Sequence, residues 1–185
     1  CPDVHGEETP MEPVSEHAFV EFFRYNQWAN QQILQACQAL SEAELDTPVP
    51  GAYGTVRETL EHIVRSEGGY LRQLTGTRPQ PSFRWEDRPS VTAMAAYAAE
   101  VGEALIEAAR SIDPLQLVGS NWNGQATTFH ALAVFIQIVN HGIEHRTNIT
   151  TLLNQGLGEP PAVDGWGYLT AHPERFGYAL HGSVE

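Results

Sequence analysis

Apolar side chains recur at helical spacing in four long stretches of the chain, and no run of strand length alternates convincingly between apolar and polar positions. The first stretch starts near Ser15, a plausible N-cap. It carries Phe19, Phe22, Phe23, Trp28, Ile33, Leu34, Cys37 and Leu40. The second starts at Thr55, with Glu58 three residues on as in a capping box. Val56, Leu60, Ile63, Val64, Leu71 and Leu74 form its buried stripe up to Thr75-Gly76. The third is Ala-rich, capped by Ser90 and stopped near Ile112 by Asp113-Pro114, with Met94, Tyr97, Val101, Leu105 and Ile106 facing inward. The fourth spans Phe129 to Asn154 and is closed by Gly156, Gly158, Pro160 and Pro161.

Between these stretches the chain changes character. Ser41 to Leu45 predicts a short capped turn, and Pro79, Pro81 and Pro89 around Phe83 and Trp85 predict a packed loop that crosses the fold. Asn123-Gly124 is a turn signal between segments able to pair as a small hairpin. Residues 1–13, with three prolines and four acids, predict a flexible lead-in. Residues 14–170 would then be one bundle domain and 171–185 a tail. Four amphipathic helices without a repeat predict an all-α four-helix bundle, and two of the connections are long enough to cross it.

The bulk numbers narrow the function. A chain of 185 residues, 42% hydrophobic and with net charge −13, falls in the ordinary globular class. Its ten basic residues are all arginine and are scattered, so no basic patch for nucleic acid is expected, and no lysine is present for Schiff-base chemistry. No apolar run reaches the roughly 18 residues of a membrane span, and no signal-peptide pattern opens the chain. Cys1 and Cys37 make no disulfide framework, so a cytoplasmic, reducing location is the expectation.

The candidate chemistry lies in the fourth helix. His141 and His145 are one turn apart and point the same way, at the wet edge of an apolar arc formed by Val134, Ile138, Ile149 and Leu152. Two such imidazoles are able to grip one metal ion. They are equally readable as core-edge histidines satisfied by ordinary hydrogen bonds, because the chain has eight histidines and the spacing alone is weak. A third donor should come from a facing helix, where His62 is the obvious candidate even though its position lies off the apolar stripe of the second helix. His130 stands about 16 Å from the pair at helical rise, too far to share an ion. His5, His17, His172 and His181 read as surface residues. The run His141-Gly142-Ile143-Glu144-His145 also spells the H-x-x-E-H motif of inverted zinc peptidases, with Glu144 as base. Glu159 and Glu174, however, lie in a Pro- and Gly-rich tail rather than on a following helix.

Three blocks of sequence carry a resemblance. Phe22-Phe23-Arg24-Tyr25-Asn26-Gln27-Trp28-Ala29-Asn30, then Thr55-Val56-Arg57-Glu58-Thr59-Leu60-Glu61-His62-Ile63, then Val139-Asn140-His141-Gly142-Ile143-Glu144-His145-Arg146 resemble, in order, the blocks of the DinB/YfiT-like family over about residues 15–170. The resemblance implies an up-up-down-down bundle with long crossover connections. It implies one divalent metal ion (Zn, Ni or similar) held by His62, His141 and His145, and a homodimer formed through helix faces. The chain departs from the family at Thr147-Asn148, where Gly-Gln is common. Three imidazoles leave coordination positions open, the catalytic rather than the structural pattern, and an ion there lowers the pKa of bound water to about 7 or takes a thiolate. Relatives that use low-molecular-weight bacterial thiols imply an S-transferase acting on a small-molecule substrate. A non-catalytic metal-binding or stress-associated bundle is the alternative.

Overall fold

The computed structural model describes residues 17–48, 53–80, 86, 88–122 and 124–178. The lead-in 1–13 with His5, the N-cap candidate Ser15, Pro81, Phe83, Trp85, Asn123 and the last residues of the tail with His181 lie outside that set. Four long helices dominate: α1 (His17–Cys37), α3 (Val56–Thr75), α4 (Val91–Ser111) and α5 (Ala131–Leu152). Between the first two sits the four-residue α2 (Glu42–Leu45). Before α5 comes a two-stranded antiparallel hairpin, β1 (Leu117–Trp122) and β2 (Gln125–His130), and after it a short α6 (Gly165–Ala171).

The ends of the helices follow local chemistry. Ser41 and Thr55 each build a full capping box, with Glu44 and Glu58 respectively returning a carboxylate to the cap N–H. Gly76, at φ 80°, closes α3 in the left-handed conformation that glycine adopts at least cost. Ser90 accepts from Ala93 N–H at the start of α4. In the hairpin the Gly124 N–H donates to Asn121 Oδ1 at 2.9 Å. α5 begins two residues later than its apolar pattern predicts, because Phe129 and His130 are paired with Val118 and Leu117 in the hairpin. It ends in a widened turn, Leu153–Leu157, where Gly156 takes φ 106°.

The helices pack as a ring in which α1 and α3 are diagonal: each contacts α4 and α5. Their directions follow from the contacts. Phe19 and Phe23 meet Phe135, while Asn26 and Asn30 meet Arg146, so α1 and α5 run parallel. Gln27 reaches Glu103 and Gln31 reaches Ala95, so α4 is antiparallel to α1. His62 meets His141 and Tyr70 meets Gln137, so α3 is antiparallel to α5. The all-α four-helix bundle therefore forms, but its order is up-down-down-up and not the expected up-up-down-down. The physical reason is that the first and third connections cross the ends of the bundle diagonally. Only the second connection joins opposite ends of the bundle, from Thr75 at one to Val91 at the other, about 30 Å for a 20-residue helix.

The first of those end crossings is locked down. Arg57, 4% exposed, donates to Asp46 Oδ1 at 2.8 Å and Glu42 Oε2 at 2.6 Å, tying α2 to the first turn of α3. The core runs the length of the bundle through Phe23, Ile33, Leu34, Leu60, Met94, Leu105, Phe135, Ile138 and Leu152. Beyond α5 the chain folds back on α1: Tyr168 donates to Glu21 Oε1 at 2.6 Å, and Tyr25 donates to the Val163 carbonyl at 2.9 Å. No described helix is long and apolar enough to cross a membrane.

Candidate metal centre

The capping box at Thr55 sets where α3 begins, and with it the angular position of His62 two turns in. α5 runs antiparallel beside it and presents His141 and His145 one turn apart. Further along the same seam Gln137 Nε2 donates to the Tyr70 hydroxyl at 3.4 Å, and the Tyr70 ring stands edge-on to His141. These contacts hold the two helices in register. Gly142 lets α5 approach α1 closely here, since a Cβ at that position would meet Asn26 Oδ1 at 2.5 Å.

The three imidazoles converge. Their candidate ligand atoms lie within 4.8 Å of one another, with ring centroids 4.4 Å (His141 to His145), 4.5 Å (His62 to His145) and 4.8 Å (His62 to His141) apart. His62 Nε2 faces His141 Nε2 at 2.9 Å. Two nitrogens on a tetrahedral zinc would stand about 3.3 Å apart, given bonds of roughly 2.0–2.1 Å, so a small opening of this pair makes room for an ion. His141 and His145 are each 6% exposed, and the Nδ1 atom of each is buried without a hydrogen-bond partner. His141 shares one ordinary hydrogen bond with His62 through Nε2, whereas the two buried Nδ1 atoms have none among the described residues. Buried polar atoms left unpaired are costly, and the nitrogen that His141 turns to the cluster is the other one, Nε2.

Electrostatics keeps the cluster in its ligating form. Burial, followed by the neighbouring His145, His62 and Arg146, pushes the pKa of His141 down to about 4. Burial also lowers His145, against the opposing pull of Glu144. His62 is lowered first by burial and then by His145 and Arg65. At neutral pH all three rings are neutral, which is the state that binds a metal. The donor set, its convergence and its protonation all fit a divalent ion.

Among the described residues, the other candidates stay apart from this cluster. His130 caps α5 without a side-chain bond, and His172 packs edge-on against Trp28 and Tyr168 on the α6 side. Glu144 is exposed and does not join the imidazoles. The helix that follows α5, Gly165–Ala171, carries no acid, so the H-x-x-E-H pattern gains no third ligand there. Cys37 is fully buried, and burial raises its thiol to about 12, so it is a core residue and not a nucleophile.

Two features escaped the reading of the sequence. The first is a buried polar network directly behind the cluster. Arg146 Nη1 donates to Asn26 Oδ1 at 2.8 Å and Asn30 Oδ1 at 2.7 Å, and both asparagine amides donate to Glu67 Oε1 at 2.7 and 2.8 Å. All four side chains are under 5% exposed. Desolvation raises the pKa of Glu67, and the two asparagines and Arg146 oppose it. The signal was present: Asn26 and Asn30 are one turn apart on the core face of α1, and Glu67 stands on the α3 stripe between Val64 and Leu71. The second is Tyr53, whose hydroxyl lies 2.9 Å from His62 Nδ1. Beside it an open pocket of about 660 Å³ is lined by Tyr53, Glu58, Glu61, His62, Arg65, Ser66 and Arg78.

A bundle that brings one histidine of its second long helix against a one-turn histidine pair of its fourth, next to an open polar pocket, defines a class of helical proteins with a metal-competent centre. Residues 12–175 match the sequence profile of the DinB family. The chain is also 24% identical over 164 residues to Protein DinB of Bacillus subtilis (strain 168), covering 82% of this chain and 94% of that protein. The chain belongs to the DinB family.

Proposed function

We propose that His62, His141 and His145 hold one divalent ion, zinc, nickel or a similar metal, and that the chain is a thiol-dependent S-transferase. One observation carries this reading: three neutral imidazoles from two helices converge, and one of them, His62, lines an open polar pocket through which a ligand from outside can approach the cluster. An ion there supplies Lewis acidity that lowers the pKa of a small thiol placed against it. The chain's own residues do the rest. The two helices hold the imidazoles in place, the buried network ties the turn of α5 that carries His145 and Arg146 to α1 and α3, and Glu61, Arg65, Ser66 and Arg78 offer polar anchors to a small substrate. In the transfer the thiol gives up its proton, its sulfur forms a bond to an electrophilic carbon, and the leaving group departs from that carbon with the bonding pair.

A metal-binding bundle without turnover is the second reading, and a cluster sealed from solvent would favour it. The pocket beside His62 is open, which favours the enzyme. The discriminating experiment is conjugation of several low-molecular-weight thiols to a chromogenic electrophile. The ion-loaded protein is expected to accelerate at least one of them over the chelator-stripped protein, and equal rates for every thiol would leave the non-catalytic reading in place. The same proposal makes the chain a cytoplasmic homodimer. The buried free thiol of Cys37 is in keeping with that location, and Phe22, Ile136 and Ile143 expose apolar surface along the α1–α5 edge for a second copy. Sedimentation should give twice the 20.4 kDa chain mass, and a monomer at micromolar concentration would remove the dimer.

A further inference from the structure

Tyr53 stands two residues before the N-cap of α3, where an antiparallel bridge between Pro48 and Thr55 closes the base of its loop. It is half exposed, yet it touches two of the three imidazoles. Its ring stacks on His62 at 4.3 Å and 28°, and meets His145 edge-on at 4.8 Å and 80°. Its hydroxyl shares a hydrogen bond with His62 Nδ1 at 2.9 Å. His141 and His145 differ in this respect, since their Nδ1 atoms are buried without a partner. Among the described residues, His62 is therefore the imidazole of the cluster whose Nδ1 has a side chain to set its tautomer.

That contact has a direction. An imidazole that ligates through one nitrogen carries its proton on the other, and the partner of that second N–H fixes the tautomer and the orientation of the ring. In His62 the nitrogen facing the cluster is Nε2, opposite His141 Nε2. We propose that Tyr53 is a positioning residue of the metal site, which commits His62 to bind through Nε2 by accepting a hydrogen bond from Nδ1–H. This rests on the metal reading above and adds a role for a residue outside the three ligands.

A phenol suits the task because it both donates and accepts. Without an ion, the Tyr53 hydroxyl donates to Nδ1 and His62 Nε2–H donates to His141 Nε2. With an ion, His62 takes its other neutral tautomer: the Nε2 proton leaves to solvent, solvent returns one to Nδ1, and Nδ1–H donates to the Tyr53 oxygen. One hydroxyl serves both states without moving. A phenylalanine keeps the stacking and serves neither.

The test compares wild type, Tyr53→Phe and Tyr53→Ala by zinc competition against a chromophoric chelator, alongside melting of the metal-free proteins. Tyr53→Phe is expected to lose about tenfold or more in zinc affinity, the scale of an outer partner of a ligand histidine. Its metal-free melting should stay unchanged, because the side chain is half exposed and the ring remains. Tyr53→Ala should lose at least as much. The cobalt-loaded Tyr53→Phe protein should also show a shifted ligand-field absorption. If Tyr53→Phe destabilises the metal-free fold, ¹⁵N resonances of zinc-loaded wild type decide: His62 should be bound through Nε2 and protonated at Nδ1. Wild-type affinity in Tyr53→Phe, or His62 bound through Nδ1, would overturn the proposal. A wild-type protein that takes up no ion would instead overturn the metal reading beneath it.

Discussion

Replacing Arg146 by Met should destabilise the fold by about 3–5 kcal/mol, the usual cost of removing one member of a buried, hydrogen-bonded charge system. Arg146 is 2% exposed and reaches Glu67 only through Asn26 and Asn30, so its loss leaves two asparagine oxygens without a donor and a buried carboxyl without its counter-charge. For a chain of this size each kcal/mol shifts the midpoint by about 2–4 °C, so the melting temperature should fall by about 10 °C. Glu67→Gln keeps an oxygen to accept from Asn26 and Asn30 and removes the charge that Arg146 balances. The double variant Arg146→Met with Glu67→Gln is therefore expected to lose clearly less than the sum of the two single losses. Thermal unfolding of the four proteins measures this. A loss under about 1 kcal/mol for Arg146→Met, or strict additivity, would mean that the network is not a coupled unit.

The second large effect is the stability that a divalent ion confers. An ion that binds only the folded chain adds RT ln(1 + [L]/Kd), about 4 kcal/mol when the free ion exceeds Kd a thousandfold. Wild type should therefore melt about 10 °C higher with zinc than with chelator. His141→Ala should show none of that gain, because it removes the imidazole whose Nε2 faces His62 Nε2 and which is held neutral by its burial. Differential scanning calorimetry with zinc and with chelator separates the outcomes. An equal zinc-dependent rise in wild type and His141→Ala would place the ion elsewhere.

Much of the bundle was legible because caps and stops are local. Thr55 with Glu58, Ser41 with Glu44, Ser90 and Gly76 act within one turn of themselves, and each bounds an element where the pattern places it. The start of α5 was misplaced because Phe129 is apolar in either state, and only pairing with Val118 decides for strand. Helix direction was not legible at all. It depends on which helices become neighbours, a long-range outcome that helical periodicity does not encode. The site divides in the same way. The one-turn spacing of His141 and His145 is local and visible, whereas His62 sits off the apolar stripe of α3. A boundary position is what an open metal site needs, so that a ligand at its edge remains reachable from solvent. Tyr53 was invisible because loop geometry alone brings it to His62. The Glu67 and Arg146 network was hidden by a rule that reads charged residues as surface, and that rule fails where two asparagines bridge the two charges.

The central claim is that His62, His141 and His145 together hold one ion, and elemental analysis of protein purified without chelator tests it most directly. The expected result is about one divalent ion per wild-type chain, with most of it lost in each of His62→Ala, His141→Ala and His145→Ala. Full occupancy in any of the three variants, or a wild-type chain that stays empty after incubation with zinc, nickel and manganese, would contradict it.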